Sequence, residues 1–200
     1  PRALEGRVAV HSTVLRVASA GLRMWLHYDV CDNFLCCVRG RKRVVLLPPS
    51  EAGRCYLQGS SSALGSRLLE EGAAARRELW RAFPLAEAAW GRRQDVVLEE
   101  GELLFIPALW LHCTEALGGA GADEGVCVSL NVFIVWPDQA ELHDPKDVWA
   151  NRDLLPAQEA FKALEGKVWP ALRRVPSRHR AFHCRRLAAE LVAMAEEADG

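Results

Sequence analysis

The chain has 200 residues, 50% of them hydrophobic and 26% charged, with a formal net charge of −1. This is enough apolar material for one sizeable core plus a smaller appendage, and no apolar run approaches the roughly 20 residues that a membrane span requires. The charge balance gives no general case for a polyanionic partner and the start lacks a signal-peptide pattern, so a soluble, intracellular, cytoplasmic protein is expected.

Residue 1 is proline, which suggests a fragment or processed product with an incomplete N-terminus. The seven cysteines (31, 36, 37, 55, 113, 127, 184) form no CxxC pair and no regular framework. Reduced, buried thiols are therefore expected, without disulfides or a zinc cluster.

From residue 8 to about 47 the chain reads as short strands. Leu22, Met24, Leu26 and Tyr28 alternate with Arg23, Trp25, His27 and Asp29, the period-two signature of a strand. Phe34–Val38 and Arg43–Leu47 follow, joined by a turn at Arg39-Gly40-Arg41, and this pair reads as a β-hairpin that Pro48-Pro49 terminates. Residues 50–93 are rich in Gly, Ser, Ala and Glu with some helical stretches. They read as a long insertion, and long connections tend to be functional or mobile.

Strands resume at Asp95–Leu98 and Glu102–Ile106, and Val126–Trp136 is the last. Its residues Cys127, Ser129, Asn131 and Phe133 share one face. After Pro137 the texture becomes helical. One helix is expected after Asp153, with Ala157, Ala160, Phe161 and Leu164 at helical spacing. A second follows Pro176-Ser177, with Ala181, Cys184, Ala188, Leu191 and Ala195 as its buried stripe. The expected architecture is mainly β, a jelly roll over residues 1–137, followed by a C-terminal helical region over 138–200.

Within the strand around Trp25, His27 and Asp29 point to one face, roughly 6.6 Å apart at Cα by strand rise. Buried histidine and carboxylate groups need partners, and one metal ion would satisfy both. His112, in the stretch FIPALWLH, is the candidate third ligand. Two histidines and a carboxylate on one face of an octahedral ion leave three positions open, as in the facial triad of non-haem Fe(II) oxygenases.

Lys42 stands among apolar neighbours, where a buried ammonium would need an anion such as a cosubstrate carboxylate. The alternative reading is an exposed turn residue in a basic cluster with Arg41 and Arg43. Asn33 and Asn131 sit at strand positions from which either amide could hydrogen-bond a cosubstrate.

HYD at 27–29, Asn33, GRKRVVLLPP at 40–49 and GELLFIPALWLH at 101–112 together resemble JmjC-type 2-oxoglutarate oxygenases. Residues 12–190 are similar in particular to tRNA-hydroxylating members of that family, with residues 60–93 matching poorly. The resemblance implies a double-stranded β-helix of the cupin and JmjC kind. It implies Fe(II) held by His27, Asp29 and His112, and 2-oxoglutarate held by Lys42, Asn33 and Asn131.

The same resemblance implies hydroxylation of a wybutosine-type guanosine in tRNA, phenylalanine tRNA in particular, and a homodimer formed through the helical tail. Two departures stand out. No residue matches the family's upstream tyrosine, and Met24 stands where some relatives carry threonine. A JmjC hydroxylase of protein side chains and a non-catalytic jelly-roll interaction protein are the competing readings. The six arginines and two histidines of residues 173–186 serve RNA in the first reading and plain solvation in the others.

Overall fold

The computed structural model describes residues 7–119 and 125–199. Packing divides the chain into two units, one ending at Leu154 and the other beginning at Leu155. The first is a mainly β jelly roll of two antiparallel sheets, the fold class expected from the sequence. Segment 138–154, expected in the helical region, packs with this unit.

Its strands are β1 (Ala9–Ser19), β2 (Arg23–His27), β3 (Asp32–Arg39), β4 (Lys42–Leu47), β5 (Leu57–Gln58) and β6 (Ser61–Ser62). After an intervening helical segment come β7 (Gln94–Leu98), β8 (Leu103–Ile106), β9 (Leu111–Ala116) and β10 (Val126–Val135). One sheet has the order β1-β10-β3-β8 and the other β5-β6-β2-β9-β4-β7.

The hairpin expected between Phe34–Val38 and Arg43–Leu47 is corrected here. β3 pairs with β10 and β8, whereas β4 pairs with β7 and β9, so the turn at residues 39–41 carries the chain from one sheet to the other. Alternation identifies two strands but not their partners, and adjacent strands joined by a short turn usually pair. Here Gly40 makes the corner at φ 77°, and a Cβ there would lie 2.5 Å from the Val126 carbonyl oxygen. Only glycine fits that crossing.

The insertion also has a different role from the one expected. Its two helices, α1 (Ala73–Ala82) and α2 (Pro84–Trp90), together with the short turns before them, cover the outer face of the six-stranded sheet. Leu64, Leu68, Leu69, Leu79, Ala86 and Ala89 pack there against Leu26, Val45, Leu47, Leu111 and Cys113, all nearly inaccessible to water. A second cluster lies between the sheets at one end, where Leu35, Cys37, Val44, Leu46, Leu98 and Ile106 meet. With both faces covered, every residue of β9 is buried. Leu111 and Cys113 alternate with His112 and Thr114, but the run is short and ends in the equally buried Glu115 and Ala116, so its period-two signature is weak.

The second unit contains α3 (Leu155–Ala163), a π-helical turn over Leu164–Val168, α4 (Trp169–Arg174) and α5 (Ser177–Asp199). The stripe of Ala181, Cys184, Ala188, Leu191 and Ala195 expected to be buried is exposed, as are Phe182, Val192 and Met194. Helical spacing of small apolar residues marks a face that could be covered. It does not supply the cover. All seven cysteines are free thiols.

Candidate metal centre

The inner face of the six-stranded sheet carries the site. β2 and β9 are antiparallel neighbours, and His27 lies directly opposite His112 in their register, with ring centroids 4.3 Å apart. Asp29 lies two residues past the end of β2. Its Oδ1 is 3.9 Å from His27 Nε2 and its Oδ2 is 3.5 Å from His112 Nε2. One donor atom from each residue lies within 4.8 Å of the others, the single such group of potential metal ligands among the described residues.

Both rings are held from behind. His27 Nδ1 lies 2.8 Å from the Trp25 carbonyl oxygen and His112 Nδ1 3.0 Å from that of Trp110. A carbonyl only accepts, so each Nδ1 carries the proton and each Nε2 presents its lone pair to the space shared with Asp29, where a cation would satisfy all three acceptors. Burial, with the neighbouring His112, pushes His27 down to about 4. Burial likewise pushes His112 down to about 4, and both rings are neutral at pH 7. Burial raises Asp29 to about 6, with His27 and Arg16 acting against that rise.

The loop that delivers His112 is fastened to the strand region that carries Asp29. The Leu109 amide donates to the Asp29 carbonyl at 2.8 Å, and the Ala108 amide donates to Asp32 Oδ1, also at 2.8 Å. Trp136 Nε1 donates to Asp32 Oδ2 at 3.3 Å, so one carboxylate joins β3, the His112 loop and the end of β10.

Lys42, Asn131, Arg16 and Thr114 line the same cavity as His27, Asp29 and His112, with Met24, Leu35 and Ile106 as its apolar wall. Lys42 is 5% exposed and makes no ion pair among the described residues. Burial, together with the nearby Arg16 cation, lowers its pKa, partly offset by Cys127 and Cys37. Arg43, one residue on, faces the opposite side and pairs with Asp95, and Arg41 is exposed. Among the described residues no hydrogen bond of standard geometry reaches the buried Asn131 Oδ1 or the buried Asn33 amide, although the Asn33 amide lies close enough to Asp29 to act on its carboxylate. Asn131 faces the cavity. Asn33 is fully buried behind Asp29, where its amide still favours the carboxylate form.

Two residues of this cavity were not anticipated. Arg16 reaches it from β1, where it opposes Ser129 of β10. An arginine between the inward-facing Val14 and Ala18 is the sequence signal that could have pointed to it. Thr114 opposes Met24 in the β2–β9 register, so a hydroxyl enters from the neighbouring strand at the level where Met24 departs from threonine.

A jelly roll with two histidines and a carboxylate inside belongs to a recognisable class. A family model described as a cupin-like domain matches residues 2–137, and the chain belongs to that family. It is 36% identical over 181 residues to tRNA wybutosine-synthesizing protein 5 of Gallus gallus, covering 90% of this chain and 51% of that protein. The corresponding protein of Danio rerio is 38% identical over 181 residues, 90% of this chain and 49% of that protein. tRNA wybutosine-synthesizing protein 4 of Aspergillus oryzae is 35% identical over 190 residues, 94% of this chain and 16% of that protein. The chain spans about half the length of the first two.

Proposed function

We propose that this chain is the catalytic cupin of an Fe(II)- and 2-oxoglutarate-dependent hydroxylase acting on a wybutosine-type guanosine of tRNA. The observation that carries the reading is Lys42, a buried ammonium with no carboxylate partner among the described residues, in the cavity that also holds His27, Asp29 and His112. Burying a charge with no counterion is costly, and a site that retains one is built for an anionic guest. The relatives named for wybutosine synthesis supply the substrate class.

The donor set suits the metal. Two neutral imidazoles and one carboxylate, His27, His112 and Asp29, would hold Fe(II) and would leave room for other ligands on it. Iron and 2-oxoglutarate together would supply the oxidising power for hydroxylating a C–H bond with dioxygen, with succinate and CO₂ released. The chain's own part is binding and exclusion. Lys42 would neutralise the far carboxylate, with the Asn131 amide and Thr114 hydroxyl completing the polar wall. The Trp25 and Trp110 carbonyls fix the two imidazole tautomers. Leu35, Ile106 and Met24 keep water from the reacting end.

Phenylalanine tRNA is the proposed substrate and the arginine-rich helix α5 the proposed RNA contact. A homodimer would cover the apolar residues that α5 exposes. The test is mass spectrometry of nucleosides from tRNA incubated with the protein, Fe(II) and 2-oxoglutarate. A gain of one oxygen on the wybutosine-type base, dependent on both additions, is expected. Turnover of 2-oxoglutarate with no change in any tRNA nucleoside would overturn the substrate and favour a protein side chain.

A further inference from the structure

Outside the three ligands the cavity opens into a cleft lined by Arg16, Trp25 and Trp149 together with His27 and Asp29. We propose that this cleft seats the planar ring of the nucleobase being oxidised, with Trp25 and Trp149 as stacking walls; the inference rests on the tRNA reading above.

Trp25 and Trp149 are each 46% exposed, although an indole is among the costliest side chains to leave in water. Both are held in place rather than loosely displayed. Trp25 lies two residues before His27 on β2, its ring centroid 6.4 Å from that of the ligand, and its Nε1 donates to Ser61 Oγ at 3.1 Å. Anything stacked on it therefore adjoins the metal centre.

Trp149 sits on a tightly tied segment. Asp147, 3% exposed, accepts from the Trp149 amide at 3.2 Å and the Arg152 amide at 2.7 Å. Ala150 is fully buried at φ 55°, and its carbonyl accepts from the Val30 amide at 2.6 Å, just beyond Asp29. His11 and Ser12 of β1 bind the Asp147 and Val148 carbonyls, both at 2.7 Å. A non-glycine residue in the left-handed region persists only where its surroundings over-determine it. These ties fix one exposed indole at the mouth of the site.

Arg16 completes the cleft. Its guanidinium carbon lies 4.9 Å from the centroid of the Trp149 ring, and it makes no salt bridge among the described residues. Two fixed indoles and a delocalised cation present flat π surfaces, the chemistry that recognises a base by stacking. An aliphatic side chain would be matched better by an enclosing apolar pocket.

The test compares two RNA probes. One is tRNA from cells lacking the hydroxylase, which retains the unhydroxylated wybutosine-type base. The other is the same tRNA transcribed in vitro, with plain guanosine at that position. Affinities are measured for the parent, for Trp25→Leu and Trp149→Leu, and for Trp169→Leu, which alters a part-exposed indole of the second unit.

The parent should prefer the modified tRNA several-fold, because a base with an enlarged planar ring overlaps the indoles more fully than guanine, which also stacks. Each cleft variant should lose most of that preference and weaken on the transcript by less than on the modified tRNA, and Trp169→Leu should keep the parent's affinities for both. Circular dichroism checks folding. Trp149→Phe, which restores a ring, should recover part of what Trp149→Leu loses.

Cleft variants that keep the full preference would overturn the inference and leave the tRNA reading standing, and so would a parent that binds both probes equally. A parent that binds neither tRNA would overturn the tRNA reading itself. The cleft would then be judged on guanosine monophosphate alone. Quenching of indole fluorescence that vanishes in the Trp25→Leu/Trp149→Leu double variant would sustain it, and a parent showing no quenching would overturn it.

Discussion

The two faces of the six-stranded sheet are equally dry and chemically opposite. On the outer face Leu26, Leu111 and Cys113 are fully buried among leucines and alanines, and Arg43 at its margin has carboxylate partners. On the inner face, one residue away in each case, stand His27, His112, Thr114 and Lys42. Arg43 on the outer side has its counter-charges within the chain, whereas Lys42 on the inner side has no carboxylate partner among the described residues, and Asn131 of the facing four-stranded sheet adds a buried amide oxygen without a hydrogen bond. Burial alone therefore does not distinguish a core from a site. What distinguishes them is whether the buried polar groups already have their partners.

The sharpest way to break the comparison is to remove the carboxylate that the two imidazoles share. Asp29→Ala should abolish Fe(II)-dependent turnover of 2-oxoglutarate, because two histidines alone no longer define one face of an octahedral ion. The variant should still melt cooperatively, since Asp29 contributes nothing to the apolar clusters. Turnover at the parent rate would remove the metal-centre assignment.

The same strand should respond differently on its other side. Leu111→Ala deletes a fully buried side chain packed under the insertion, next to His112 in sequence. A loss of about 2–5 kcal/mol in unfolding free energy is expected, the usual cost of a large-to-small change in a packed core. Denaturant melts would show it as a lower midpoint. A cost below about 1 kcal/mol would mean that helices α1 and α2 cover that face only loosely.

Lys42→Met should move two measurements in opposite senses. Affinity for 2-oxoglutarate should fall tenfold or more, since a desolvated charge pair contributes more than the 1.4 kcal/mol that tenfold represents. The ligand-free chain should become as stable as the parent or more so, because an unpaired buried ammonium is removed. The stability gain should depend on pH. Burial holds the Lys42 pKa below its ordinary 10.5, so the unfolded chain keeps its proton to higher pH. Parent stability then rises as pH climbs through that interval, and the gap to Lys42→Met narrows. Destabilisation of the variant at neutral pH would mean that Lys42 already has a partner in the chain.

These contrasts also explain what could be read from the sequence. That His27 and Asp29 lie close together was legible from their spacing of two in an extended run, although β2 ends at His27 and Asp29 lies just past it. His112 was suggested only as a third partner for that pair, because β9 is short and its alternation of Leu111 and Cys113 with His112 and Thr114 is brief. Arg16 was not found. Its position depends on β1 lying beside β10, with Arg16 opposite Ser129, and local pattern carries no information about a partner so distant in the chain. The mistaken hairpin has the same origin, because strand identity is local and strand pairing is not.

The smallest expected effect tests Arg43 against its neighbour. Arg43 Nε and Nη2 donate to Asp95 Oδ1 and Oδ2 at 2.9 and 2.7 Å, a two-point pair, with Glu115 Oε2 a further 3.7 Å contact. The Arg43 and Asp95 side chains are 21% and 30% exposed, so solvent screens the pair only in part. Geometry of this kind lifts the pair above the usual surface value, and Arg43→Ala should cost about 0.5–1.5 kcal/mol. The hydrogen bonds from Arg43, opposed by partial burial, hold Asp95 below its ordinary 3.8. A carboxylate with a lowered folded pKa stabilises above its unfolded value and loses that contribution as it protonates. The difference between parent and Arg43→Ala should therefore be full at pH 7 and shrink once the pH falls below about 3.8. Affinity for 2-oxoglutarate should not change, because the strand turns Arg43 away from the cavity that Lys42 enters. A matching loss of cosubstrate affinity in both variants would mean that the two faces are not separate, and that Lys42 acts as one member of a basic surface rather than as the counter-charge inside the site.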